Sequence, residues 1–374
     1  MISNKKILFF LVFFLTTLNI NAECDFKTGS FIDELFNPKF INKIEVEVPK
    51  SAKFAKNVFK ILTYDDFDIK SEYKKRFKAN ITVTYDFGVC VYQGKVRQNG
   101  DLKDHIKFIE GGKPIMSLDV KLANGNVLGA VKFKLLIPET RNGLNEVLGS
   151  LVFRELGFIA PETFEVSVAI NGNESKMLFQ EDAQKELLER NSRRENAIFE
   201  GDESILWTYQ NFKMLDLQRM ALSRMTNNNW LLKGTSSQEI SLTAYKKLQY
   251  AYLNARMYHD QFVSQNDQLL EEFFFYYGVN PNKKISNIFP KYFFVLLSMN
   301  GAHAIAPNNQ KFYFNSFISE FEPIYYDGNL RFERGFDQSP MRGFDLAGSK
   351  LAEIVGKKID EEFLVSIKEK MKST

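Results

Sequence analysis

The sequence predicts an α+β fold in two lobes, a β-rich first lobe holding one helix and a mainly helical second lobe. Three observations lead there. Between Ile44 and Phe179 apolar and polar residues alternate with period two, the signature of half-buried strands. After Glu181 the apolar residues recur at helical spacing instead. The chain of 374 residues, 44% hydrophobic and 25% charged, has the length for two domains and the apolar content to fold, which excludes wholesale disorder.

In chain order, Met1–Ala22 comes first. Lys5 and Lys6 precede the apolar run Ile7–Leu18, and Ala22 offers a small residue at a cleavage point, the pattern of a secretory signal. The run is shorter than the ~20 residues of a spanning helix, and no longer apolar stretch follows. The expectation is therefore an exported chain, secreted or held in the periplasm or cell envelope, with no transmembrane segment after cleavage. In such a compartment Cys24 and Cys90, the only cysteines, are expected to form a disulfide. Lipid modification of Cys24 is the alternative, with Glu23 a poor residue to precede it.

The β-rich lobe, residues 23–181, takes its strands from Lys43–Val48, Asn80–Phe87, Val89–Val96, Ser117–Leu122, Val131–Ile137, Thr163–Ile170 and Lys176–Phe179, with Asn171-Gly172 as a hairpin turn. Its helix is Gly143–Leu156, on the spacing of Leu144, Val147, Leu148, Leu151, Val152 and Leu156. On that wheel Glu155 lies on the apolar arc and Glu146 faces away. The second lobe, residues 182–374, shows helical pattern over Asp182–Arg190, Phe212–Met225, Leu242–Met257, Asp260–Phe275, Ser286–Asn300 and Ala347–Lys372, with short β pieces at Lys311–Phe314 and Pro323–Tyr326.

Charge excludes one class of function. Without Lys5 and Lys6 the balance is 47 basic against 46 acidic residues, and a nucleic-acid binder needs a clear basic excess. The sequence also lacks a P-loop, a Gly-x-Ser-x-Gly elbow, a His-Glu-x-x-His pair and a dinucleotide fingerprint. Chemistry is concentrated between residues 300 and 328. Asn300-Gly301-Ala302-His303, Asn308-Asn309 and Tyr325-Tyr326-Asp327-Gly328 gather a His, amides and an acid around short strands. An acid and an Asn oxygen suit Mg2+ in a phosphoryl-transfer site; the plainer reading is that these are turn residues.

Four stretches carry a resemblance. These are Arg97-Gln98-Asn99-Gly100-Asp101, Gly143–Pro161 with its Gly157 and Ala160-Pro161 ending, Val166–Glu181 around Asn171-Gly172, and His303–Tyr313 followed by Pro323–Asp327. In that order they resemble the spore-coat-H (CotH) kinase-like family, over residues 90 to 330. The resemblance implies a protein-kinase-like fold that binds ATP with Mg2+ or Mn2+ between its lobes and phosphorylates a hydroxyl on an envelope or secreted protein. It implies Asp327 as metal-holding acid, Asn309 (or Asn308) as second ligand, and His303 where the family carries its catalytic Asp. It further implies Arg97 and Gly100 at the phosphates, Lys121 or next Lys132 as the phosphate lysine, Glu155 as its helix partner and Glu181 at the hinge. With His303 in place of an acid, the alternative is a catalytically inactive protein of the same fold that serves in envelope or coat assembly.

Overall fold

The computed structural model of the protein describes residues 22–26, 34–65, 68–109, 112–201, 223–257, 288–305, 309–332 and 359–373. The expected signal, the stretch before Ser223, the Asp260–Phe275 helix and most of Ala347–Asp360 lie outside the described residues. The first part runs β1 (Glu23–Phe26), β2 (Ile41–Glu47), α1 (Ser51–Thr63), β3 (Phe77–Tyr85), β4 (Gly88–Gln98), β5 (Ile106–Phe108), β6 (Pro114–Met116), β7 (Leu118–Leu122), β8 (Lys132–Leu136), α2 (Leu144–Glu155), β9 (Thr163–Ile170) and β10 (Asn173–Glu181). The second adds α3 (Lys185–Arg190), β11 (Ile198–Gly201), β12 (Ser223–Met225), α4 (Asn228–Leu231), α5 (Thr235–Met257), α6 (Ile288–Ser298), β13 (Lys311–Asn315), β14 (Glu320–Ile324) and α7 (Glu361–Ser373).

The alternating strands close on themselves. Their order is β4-β3-β2-β9-β10-β8-β7, and β7 pairs back onto β4, making a seven-stranded barrel. β2 and β9 run parallel; the other neighbours in the ring are antiparallel. β4 makes closure possible. One side follows β3 along its length, while the other is shared by β1 at Gly88–Val91 and β7 at Gly94–Gln98. Inward residues such as Ile44, Ile81, Val83, Val96, Val120, Phe133, Leu135 and Phe179 fill the interior, so each strand alternates across a curved wall.

This closure overturns the expected bilobal, kinase-like arrangement with a mainly helical second lobe. A closed ring hides the edges that an open sheet would leave unpaired. The described residues of the second part also hold more strand than the two expected pieces, because β12-β11-β13-β14 form a four-stranded sheet. Two further differences are local. α1 is a second helix in the β region, burying Phe54, Val58 and Ile61 at helical spacing. β11 lies where the sequence shows no clear alternation, and β12 replaces the end of the expected Phe212–Met225 helix, because Ser223–Met225 pairs with β11.

The sheet of the second part covers its own core with α4, α5 and α6, through Trp230, Ala244, Leu248, Phe289, Phe293, Phe312 and Phe321. α2 contributes Phe153 to this core, stacked on Tyr325 with centroids 4.6 Å apart. Ile159 bridges Ile324 in parallel, and the Tyr325 N–H donates to the Ile159 carbonyl at 2.8 Å. The barrel and the small sheet therefore meet along one seam.

Candidate functional site

That seam gathers charged groups from four places. Lys132 and Lys134 stand on the outer face of β8, Arg141 lies in the turn before α2, Lys311 starts β13, and Tyr325-Tyr326-Asp327 follow β14. They sit around Tyr326: Lys311 Nζ lies 4.0 Å, Lys134 Nζ 4.4 Å and the Arg141 guanidinium 5.7 Å from its ring centroid. Tyr326 thus offers a π face to three cations, a favourable contact where water is excluded.

Acids hold these cations in place. Lys132 Nζ lies 2.6 Å from Asp182 Oδ2, and Lys134 Nζ 3.6 Å from Asp182 Oδ1. Burial alone would raise the Asp182 carboxyl, but Lys132, Lys134 and Lys311 together hold it far below the usual carboxylate range. Lys311 pairs with Glu200 on β11, which Arg224 also holds at 2.8 Å. Burial opposes the Glu200 charge, and these two cations bring it to about 2. The side chains of Lys134, Arg141 and Lys311 are only 7–9% exposed, and Arg141 Nε has no hydrogen-bond partner among the described residues. A buried guanidinium with an unmet donor is costly, and an anionic oxygen would satisfy it.

Across Tyr326 stands the second group. Arg141 contacts Asp327 Oδ2 at 3.2 Å, His303 Nε2 lies 3.9 Å from the same oxygen, and the Asn309 amide nitrogen lies 3.0 Å from His303 Nε2. That amide also donates to the His303 carbonyl at 3.1 Å. The turn after β14 makes this approach, with Asp327 in the left-handed region at φ 49°, a conformation that Asp tolerates better than most residues. Three of the residues singled out in the sequence, His303, Asn309 and Asp327, therefore come together, while Lys132 stands further off, sharing Asp182 with Lys134.

Arg97 connects from further off. It lies opposite Asp119 on β7 and donates to it at 2.9 Å; Arg76 holds the same carboxylate, and Lys132 Nζ is 3.9 Å away. Gly100 adopts φ 95°, but its turn is packed on the buried His105 ring rather than open to a ligand. Lys121 is exposed on the outer barrel wall and makes no ion pair among the described residues. Glu181 is buried and engaged by Arg190 Nε at 3.0 Å, tying α3 to β10.

The helix acid is the other one. Glu155 is exposed, whereas Glu146 is fully buried on α2 together with Gly149, Ser150 and Phe153. The Leu-rich arc of this helix faces outward, with Leu144 at 64% and Leu148 at 45% exposure. Tyr325 donates its hydroxyl to Glu146 Oε2 at 2.8 Å, and Gln180 donates to Oε1 at 2.9 Å. Burial, then the nearby Asp327 charge, pushes the Glu146 carboxyl up to about 7. The sequence signal was the small-residue stripe at three- and four-residue spacing from Glu146, which allows the helix to approach Tyr325 and Leu330 closely. Arg141, Asp182 and Lys311 were missed as well, and Lys134, on the same strand face as Lys132, was passed over for Lys121 and Lys132, since each is an ordinary charged residue until the seam closes over it.

Among the described residues no three His, Cys, Asp or Glu side chains gather as a metal cluster. The donor set suits Mg2+ or Mn2+ in another way, since such ions are commonly held by one or two protein oxygens plus substrate phosphates. Asp327 and Asn309 are of that kind. No protein-family model matches the chain, and no curated protein matches it either.

Proposed function

We propose that the seam binds ATP with a divalent metal and that the protein transfers phosphate to a hydroxyl on an envelope or secreted protein. The observation that carries this reading is the buried convergence of Lys134, Arg141 and Lys311 on Tyr326 beside Asp327, with the Arg141 Nε donor unmet among the described residues. Phosphoryl transfer asks mainly for positioning and charge stabilisation, and a site of this kind is not tied to one fold. The metal would neutralise phosphate charge when bound. Lys134, Arg141 and Lys311 supply fixed cations toward the phosphate oxygens, Asp327 and Asn309 supply metal-binding oxygens, and His303 takes the acceptor hydroxyl's proton. The Cys24–Cys90 disulfide supports an exported protein, and no described helix is long and apolar enough to cross a membrane.

One observation favours binding without transfer. Arg141 already occupies Asp327 Oδ2 at 3.2 Å, so the metal must displace an ion pair. Calorimetric titration with ATP, with and without Mn2+, combined with Asp327→Ala, separates the readings. Metal-dependent binding lost in Asp327→Ala supports the proposal. Metal-independent binding that survives in Asp327→Ala supports a binding protein that does not transfer phosphate.

A further inference from the structure

Three exposed lysines outside this site stand in one line. Lys78 on β3 lies directly opposite Lys95 on β4, Lys95 opposite Lys121 on β7, and Lys121 opposite Lys132 on β8. Opposed residues point to the same side of a sheet, and their neighbours Ala79, Val96, Val120 and Phe133 face the barrel core. The four lysines therefore form one row across the outer wall, about 14 Å long at the usual strand spacing. Arg76 and Arg97 lie one pleat away, with the buried Asp119 between them. Two acids on this wall are already engaged, Asp119 by the two arginines and Asp182 by Lys132, while Glu47 on β2, opposite Asn80, borders the Lys78 end of the row. Lys78, Lys95 and Lys121 make no ion pair among the described residues.

Like charges placed directly opposite on a sheet destabilise it. Three such pairings in succession are a cost that an outside anion would relieve. The row is also directional, since it ends at Lys132, whose ammonium is bonded to Asp182 within the seam.

We infer that this wall docks an acidic stretch of the acceptor polypeptide, laid along Lys78, Lys95 and Lys121 so that its hydroxyl-bearing residue reaches the seam at Lys132. The inference rests on the phosphotransfer reading for the acceptor's role; the docking itself rests on the row. A convex barrel wall meets a flat bilayer only along a line, which disfavours a membrane as the occupant. Lysine ammoniums are mobile point charges, suited to carboxylates along a flexible chain.

The test is fluorescence anisotropy of a labelled peptide, one serine flanked by six glutamates, with the full chain. A basic peptide of equal length and an anionic polysaccharide serve as comparisons. The expected result is binding of the acidic peptide alone among the two peptides, weakening as salt rises from about 50 to 300 mM. Combining K78E, K95E and K121E should weaken it about tenfold or more. The single change K95E should raise the melting temperature, because Lys95 sits between two like charges. Unchanged affinity in the triple variant, or binding of the polysaccharide but not the peptide, would overturn the inference. ATP titration of the same triple variant keeps the two proposals apart. Peptide docking without nucleotide binding in the wild type sinks the phosphotransfer reading alone, whereas nucleotide binding without peptide docking sinks this one.

Discussion

Glu146 concentrates the energetics of the seam in one side chain. Its folded carboxyl sits at about 7 against an ordinary 4.5, so the fold favours the protonated form. That contribution is fully present below about pH 4.5 and is lost as pH rises through about 7, about 3 kcal/mol over the window. Glu146→Gln keeps an acceptor for Tyr325 and removes the titration. Urea unfolding at several pH values should therefore show the variant gaining on wild type between pH 4.5 and 7 and levelling above it. Parallel curves would mean Glu146 is not held neutral. The buried His105 works in the opposite direction. Its imidazole is lowered to about 4, first by burial and then by Arg141, so its contribution is lost as pH falls from about 6.5 through 4. Comparing the variant with wild type cancels that effect. At the same scale, Asp327→Ala should still fold but lose about 3 kcal/mol of stability, read as an earlier urea midpoint, since it strips the buried Arg141 of its carboxylate.

At the scale of elements, α2 is held at the seam by the absence of a side chain. A Cβ on Gly149 would come within 2.2 Å of Leu330 and 2.8 Å of the Tyr325 hydroxyl. Ala normally favours a helix interior by about 1 kcal/mol over Gly; here Gly149→Ala should instead lower stability by about 1–3 kcal/mol, read as an earlier urea midpoint. A later midpoint would show that the helix is free to move outward. β1 is tied by a different device, since Cys24 lies opposite Cys90 and is bonded to it. The bond closes a loop of 66 residues in sequence, and replacing both cysteines by Ala should cost about 2–4 kcal/mol, visible as a lower thermal midpoint insensitive to reductant. These elements also show where the sequence was legible. Thr163–Ile170 was read to the residue, because alternation there coincides with half-burial on a barrel wall. α2 was found but turned the wrong way, because its leucines face outward and its buried face is made of Glu, Gly and Ser. β11, at four residues, is too short for its periodicity to register, and the three residues of β12 were read as the end of the Phe212–Met225 helix.

For the molecule as a whole, the strands were visible and their closure was not. Period-two patterning marks which residues face a core; it carries no trace of β7 returning to β4, which depends on register across distant segments. The same limit applies to the site. His303, Asn309 and Asp327 are near in sequence and were found together, whereas Lys134, Arg141, Asp182 and Lys311 meet only once the barrel and the small sheet share a seam. Calorimetric titration of the protein with ATP, in the presence and absence of Mn2+, tests the proposal that this seam binds a metal nucleotide. The expected result is saturable binding that requires Mn2+ and disappears in Asp327→Ala. No heat of binding under either condition, in protein shown to be folded, would contradict it.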